Sequence, residues 1–231
     1  METNREILEL LSGKSSTKQL VFRETKKAFE ELKALLKTIA VELNDSIVQI
    51  DKNVLVEFRD RGPFEAEIKF SGDTLVFHMH TNAFTFEKSH NVFKSSYLKK
   101  EKSNAYFGMI NIYNFLSDSI TYNRVNDYGL LLGRIFVNKE RHFFVEGRRQ
   151  LGFAFNDLEK QVLDSHYLRK VIEQAIIQAI QFDLTAPDMA KSSVVSVSDI
   201  RSISSDLKIS TAKKLGFKMS LQTNEKSRKK L

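Results

Sequence analysis

The sequence predicts an α+β fold: an antiparallel β-sheet of about six to eight strands packed by a long N-terminal helix and a long C-terminal helix, with a basic C-terminal extension. Three observations carry that expectation. Phe22, Thr25, Phe29, Leu32, Leu36, Ile39 and Leu43 recur at alternating steps of three and four, one face of a helix. Residues 47–155 change to the period-two pattern of strands. A second helical period returns after residue 157, so helices and strands are segregated rather than alternating.

The elements follow in order. Thr3 and Glu6 match a capping box ahead of Ile7, Leu8, Leu10 and Leu11, which predicts a short helix over 4–12 stopped by Gly13. Ser16 or Thr17 then caps a longer helix reaching about residue 44. Its apolar stripe has two uses: packing on the chain's own sheet, or pairing with a second copy. The first is preferred, because three heptads are few for a free coiled coil. "SIVQI" and "NVLVEFRD" read as strands, and "RGP" at 61–63 as a turn. "FEAEIKF" places Phe64, Ala66, Ile68 and Phe70 on one side and Glu65, Glu67 and Lys69 on the other, a half-buried strand. "SGD" turns the chain into "DTLVFHMHTNAFTF". A lysine-rich loop or short helix over 87–103, a strand from 104, a polar connector over 117–129 and further strands to 155 complete the sheet. Asn156 or Asp157 is the expected cap of a last helix over 157–183, and Pro187 lies just beyond it.

Residues 1–186 are thus expected to form a single α+β domain. Residues 187–205 read as a linker, with seven serines in 192–205, and residues 206–231 as a basic tail. The tail carries eight Lys or Arg against two acids, so it holds six of the net seven positive charges of the chain. The body is therefore close to neutral. Lys213, Lys214, Lys218, Lys226, Arg228, Lys229 and Lys230, interleaved with Leu215, Phe217 and Met219, suit nucleic acid, an anionic surface or an acidic protein partner.

Composition excludes some chemistry. With no cysteine there is no disulfide, thiolate nucleophile or Cys-ligated metal. Eighteen Phe and 42% hydrophobic residues argue for a packed core. No signal peptide and no membrane span are visible, so a cytoplasmic protein is expected. G-x-S-x-G, H-E-x-x-H, P-loop and G-x-G-x-x-G motifs are absent.

Four stretches remain as candidate sites. In a strand, His78 and His80 share a face, with Leu75, Phe77 and Met79 on the other. Two imidazoles at that spacing need a third ligand to hold a metal, from Glu65, Glu67, His90, His142 or His166. An acid shortly after the pair is missing, because positions 84 and 85 are Phe and Thr. The expectation is no metal and no cofactor, with His78 and His80 as cleft-lining residues. Arg134, Arg141, His142, Arg148 and Arg149 sit among Phe136, Phe143 and Phe144, a pattern that suits phosphate or carboxylate recognition as well as an ordinary charged hairpin face. Tyr122, in "SITYNRVNDYG", marks either a structured turn or a recognition loop. The fourth is the tail. The functional expectation is a binding protein rather than an enzyme. Its tail would engage a polyanion or protein partner, and a small-ligand cleft would lie where His78 and His80 meet the arginine-rich hairpin. The alternatives are metal-dependent or acid–base catalysis at His78 and His80, and a structural homo-oligomer through the 22–43 helix.

Overall fold

The computed structural model of the chain describes residues 2–182. The linker and the basic tail lie outside the described residues, as does the end of the expected last helix. The fold is α+β. Helix α1 (Glu2–Leu10), a π-helical turn (Leu11–Ser15) and helix α2 (Ser16–Ile47) run into one another. The sheet then forms from β1 (Val56–Asp60), β2 (Glu65–Phe70) and β3 (Asp73–Met79). A covering segment holding α3 (Ser96–Lys100) leads to β4 (Phe107–Leu116), and α4 (Ser117–Thr121) leads to β5 (Leu130–Asn138) and β6 (Phe143–Gly147). Short α5 (Gln150–Ala154) and helix α6 (Ser165–Ile180) follow.

All six strands are antiparallel and lie in chain order, β1 to β6. On the first face, Ala66, Ile68, Leu75, Phe77, Ile110, Ile112, Ile135 and Phe143 are fully buried. They pack against Ala28, Phe29, Leu32 and Leu36 of α2 and Leu168, Val171, Ile172 and Ala175 of α6. The helical stripe is therefore spent on the chain's own sheet. Gly108 lets α2 come close: a Cβ there would stand 2.0 Å from the Thr25 hydroxyl. A bulge opposite Ile112 and Tyr113 adds Leu132 to β5 and turns it into the same core, where it is 1% exposed.

Four boundaries differ from expectation. Gly13 does not end a helix. It sits inside the π turn, its carbonyl accepting from the Thr17 hydroxyl at 2.9 Å, so Thr17 bonds backwards instead of capping. Residues 46–50 are not a strand, because α2 continues to Ile47 and a turn follows. There Asn44 mimics a strand: its Oδ1 accepts from the Val56 N–H at 2.7 Å and its Nδ2 donates to the Val56 carbonyl. The strand from Asp73 ends at Met79, short of residue 86, and Phe84 retains one bridge to Phe107. The last helix begins at Ser165, not 157. Residues 155–163 instead run beside β6, where the Phe143 N–H donates to the Gln161 carbonyl and the Val145 N–H to the Phe155 carbonyl. Asp164 is the actual cap, its Oδ1 accepting from the Tyr167 N–H at 2.8 Å.

Among the described residues, no long helix covers the second face of the sheet. Its β4–β6 end is roofed by residues 84–105. Phe86 meets Phe107 and Phe136 edge-on, with centroids 5.8 and 4.9 Å apart, and Phe136 stacks on Phe144 at 5.1 Å. A polar knot ties that roof down. The Tyr97 hydroxyl donates to Glu140 at 2.5 Å and accepts from Asn138 at 2.9 Å, and Asn104 also donates to Glu140 at 2.9 Å. Burial first, and the Glu140 carboxylate second, push the Tyr97 phenol well above its usual range. The opposite end is roofed by residues 117–129, pinned by a 3.1 Å contact between the Thr74 and Ser117 hydroxyls. Gly129 lies so close to the Phe115 ring that a Cβ would come within 2.4 Å. No helix among the described residues is long and apolar enough to cross a membrane.

Candidate ligand cleft

Between the two roofs the sheet presents a straight row of polar side chains. Strand register sets Glu65 opposite His78, His78 opposite Asn111, Asn111 opposite Arg134, and Arg134 opposite Glu146. Directly paired positions on one face hold their Cβ atoms about 4.5–5.5 Å apart, so the five form a continuous band across four strand pairs. The band is the product of sequence alternation. Each strand that supplies Ile68, Phe77, Ile110 or Ile135 to the core must point the intervening residues the other way.

Charges in the band are matched. Arg134 Nη2 donates to Glu146 Oε2 at 2.5 Å, and the guanidinium also lies 5.5 Å over the Phe136 ring. His90, from the roof, brings Nε2 to 3.4 Å from Glu146. His78 is half-buried and makes no hydrogen bond to a described side chain or backbone group. Asn111 is 7% exposed.

A cavity opens at each end of the band. The first, about 800 Å³, lies beyond Glu146 and is bounded by His90, Ser95, Phe144, Asp157 and Glu159. Glu159 is committed there: it accepts from the Ser96 N–H at 2.6 Å and from the Ser95 and Ser96 hydroxyls at 3.0 Å, which holds its carboxyl below the usual range. The second, about 670 Å³, lies beyond Glu65 under the 117–129 roof, and its walls include Arg59, Arg61, Glu67 and Ser119.

The other expected residues stand elsewhere. His80 belongs to the next row. Its Nδ1 accepts from the Asn82 N–H at 3.0 Å and its ring meets Phe84 edge-on at 4.7 Å, so it builds the turn after β3. Arg141 is on the helix side, bonded to both oxygens of Glu31 at 2.7 and 2.6 Å and to the Leu163 carbonyl at 2.9 Å. Glu31 raises its pKa further. His142 stacks on Tyr97 at 4.3 Å and contacts the Leu158 carbonyl at 2.8 Å. Arg148 and Arg149 are exposed in the turn after β6, Arg149 at a φ of 52°. Tyr122 is 57% exposed beneath Arg124 and does not approach His78. The structure thus joins His78 to Arg134 and separates both from the rest. The positive tail residues lie outside the described residues.

Sequence reasoning had no reason to select Asn111, Arg59, Arg61 or Ser119. Glu65 and Glu67 were legible as the outward positions of "FEAEIKF", but their partners depend on strand order. Among the described residues no three His, Asp or Glu side chains converge as a metal site would require. Comparison with protein-family models, with curated proteins and with solved structures finds no match.

Proposed function

We propose that the protein works by binding. The second face of its sheet receives a small polar ligand, and the basic tail engages a polyanion or a protein partner. The observation that carries the cleft is the in-register band from Glu65 to Glu146, left open between two roofs with a cavity at either end. Glu146 lines one of these cavities and Glu65 the other, and a concavity of several hundred cubic ångströms with a few polar groups is the usual form of a small-molecule site. A ligand spanning the two cavities would meet the His78 ring and the Glu146-paired Arg134 between them. The tail rests on composition alone, its six net positive charges.

Catalysis centred on His78 and His80 has less support. The His80 Nδ1 is taken by its own turn, and among the described residues no carboxylate or hydroxyl orients the His78 ring, as a general base normally requires.

Thermal unfolding of the full chain against a library of small polar metabolites tests the cleft. Ligands that raise Tm in wild type should lose that effect in His78→Ala and Arg134→Ala. A library that shifts nothing, or shifts that survive both changes, removes the cleft. For the tail, binding to duplex DNA or anionic vesicles should fall steeply between about 50 and 200 mM salt and vanish when 206–231 is deleted. Unchanged binding by the truncated chain removes that half of the reading.

A further inference from the structure

The cavity beneath the 117–129 roof carries an assignment of its own. It deepens the binding function proposed above by naming a ligand class for one end of the band. Its walls contain a guanidinium fixed by one nitrogen only. Arg61 Nε lies 3.0 Å from Oε2 of Glu67, and Glu67 is 4% exposed. The two terminal nitrogens of Arg61 have no hydrogen-bonding partner among the described residues. The buried carboxylate therefore holds Arg61 at the cavity wall by charge while the fork stays open. That is the geometry in which Arg donates two parallel bonds to a carboxylate. Arg59 stands beside it, paired through Nη2 to Glu57 at 2.6 Å.

Two further groups in the same cavity lack what a ligand would supply. The Ser119 hydroxyl is buried, with Ser119 4% exposed, and makes no hydrogen bond. Glu67 Oε2 is equally buried and, beside its ion pair to Arg61, accepts no hydrogen bond. Buried polar atoms left without partners are uncommon and costly, and here two belong to residues that line one concavity. Glu65 also lines it, with no partner for its carboxylate among the described residues.

The charges decide the class of ligand. A simple anion docking on Arg61 would meet Glu65 and Glu67 in the same wall. A simple cation docking on those acids would meet Arg59 and Arg61. A molecule with both charges a few ångströms apart satisfies both sets. We infer that this cavity binds a small amino-carboxylate, a free amino acid or the like. Its carboxylate lies on the Arg61 fork, its ammonium is shared by Glu65 and Glu67, and the Ser119 hydroxyl bonds to the carboxylate. Phe115 and Ile120 supply the apolar wall for the remainder. At about 670 Å³ the space suits a ligand of that size.

Calorimetric titration of the full chain with the twenty proteinogenic L-amino acids, singly, is the test. Each binder is compared with the amine lacking its carboxylate and the acid lacking its amine. At least one amino acid should bind, and both truncated analogues should bind roughly tenfold or more weakly, the loss of one charge-assisted contact. Arg61→Lys, which keeps the charge but loses the fork, and Glu65→Gln should each weaken binding by a similar factor. Ser119→Ala is the variant that guards against misfolding. It removes an unsatisfied hydroxyl, so Tm should hold or rise while affinity falls. No binding by any amino acid at 10 mM (about the weak limit of a specific site) overturns the assignment. So does binding that tolerates Arg61→Lys and Ser119→Ala. A different ligand that needs His78 and Arg134 but not Arg61 would leave the general reading in place and remove this one.

Discussion

At the scale of single residues, two glycines hold the architecture more firmly than many of the charges. Gly108 faces Thr25 of α2, and the Thr25 hydroxyl, which donates to the Val21 carbonyl at 2.8 Å, occupies the space a side chain would need. Gly108→Ala should therefore push α2 off the sheet. A loss of about 1–3 kcal/mol in urea unfolding is expected, against little change for an exposed control such as Gly72→Ala. Equal costs at the two positions would mean that the contact is not tight. The residue scale also shows what a sequence can and cannot reveal about a site. Period two placed His78 opposite Phe77 and Met79, and both of the latter are buried at 0 and 1%. It put His80 on the same face as well, but the strand ends at Met79, and the His80 ring turns to cap its own loop. Alternation tells which side a residue faces. It does not tell where the strand stops.

At the scale of elements, apolar burial outweighs ion pairing. Helix α6 is joined to α2 both by Leu168, which is fully buried, and by Arg169, which bonds Glu42 across the helices and Glu173 along its own. The Arg169 pair is more than a third exposed on both sides, so solvent screens most of its attraction. Leu168→Ala removes a close-packed side chain and should cost about 2–5 kcal/mol. Denaturant titration of the two variants compares them directly, and a larger loss from Arg169→Ala would reverse this order. The stripe of α2 was legible because it repeats over several turns. The starts and stops were not. The helix expected from 157 begins at 165 because backbone groups of Phe155 and Gln161 are taken by β6, through partners ten and eighteen residues away in sequence. The band across the sheet has the same origin. Its members sit on five different strands, and only strand order brings Glu65, Asn111 and Glu146 into line.

For the whole molecule, a scatter of carboxylates sets the response to acid. Glu42 is held low by the Arg169 hydrogen bonds, Asp60 by the Gly62 N–H and then Lys33, Glu101 by Ser103, and Glu159 by Ser95 and Ser96. In each case the folded form takes up its proton at a lower pH than the unfolded chain. The stability they supply is thus complete above about pH 5 and drains away as pH falls through their folded values. Tm should be nearly flat from pH 7 to about 5 and drop below about 4. Asp60→Asn and Glu159→Gln together should lower Tm at pH 7 and make the acid drop shallower. An unchanged slope in that double variant would assign the acid sensitivity to other groups.

The sheet also has two ends, and the chain closes both. Along β6 the outward N–H groups of Phe143 and Val145 are occupied by residues 155–163. At β1 the Asn44 amide covers Val56, and the rest of the strand presents Glu57, Arg59 and Asp60 to the outside. Backbone that would otherwise template a second sheet is already engaged or guarded by charge. A six-stranded meander with bare edges is open to runaway assembly. This one can leave the polar band of its second face open between the roofs and still resist growing strand by strand into an aggregate.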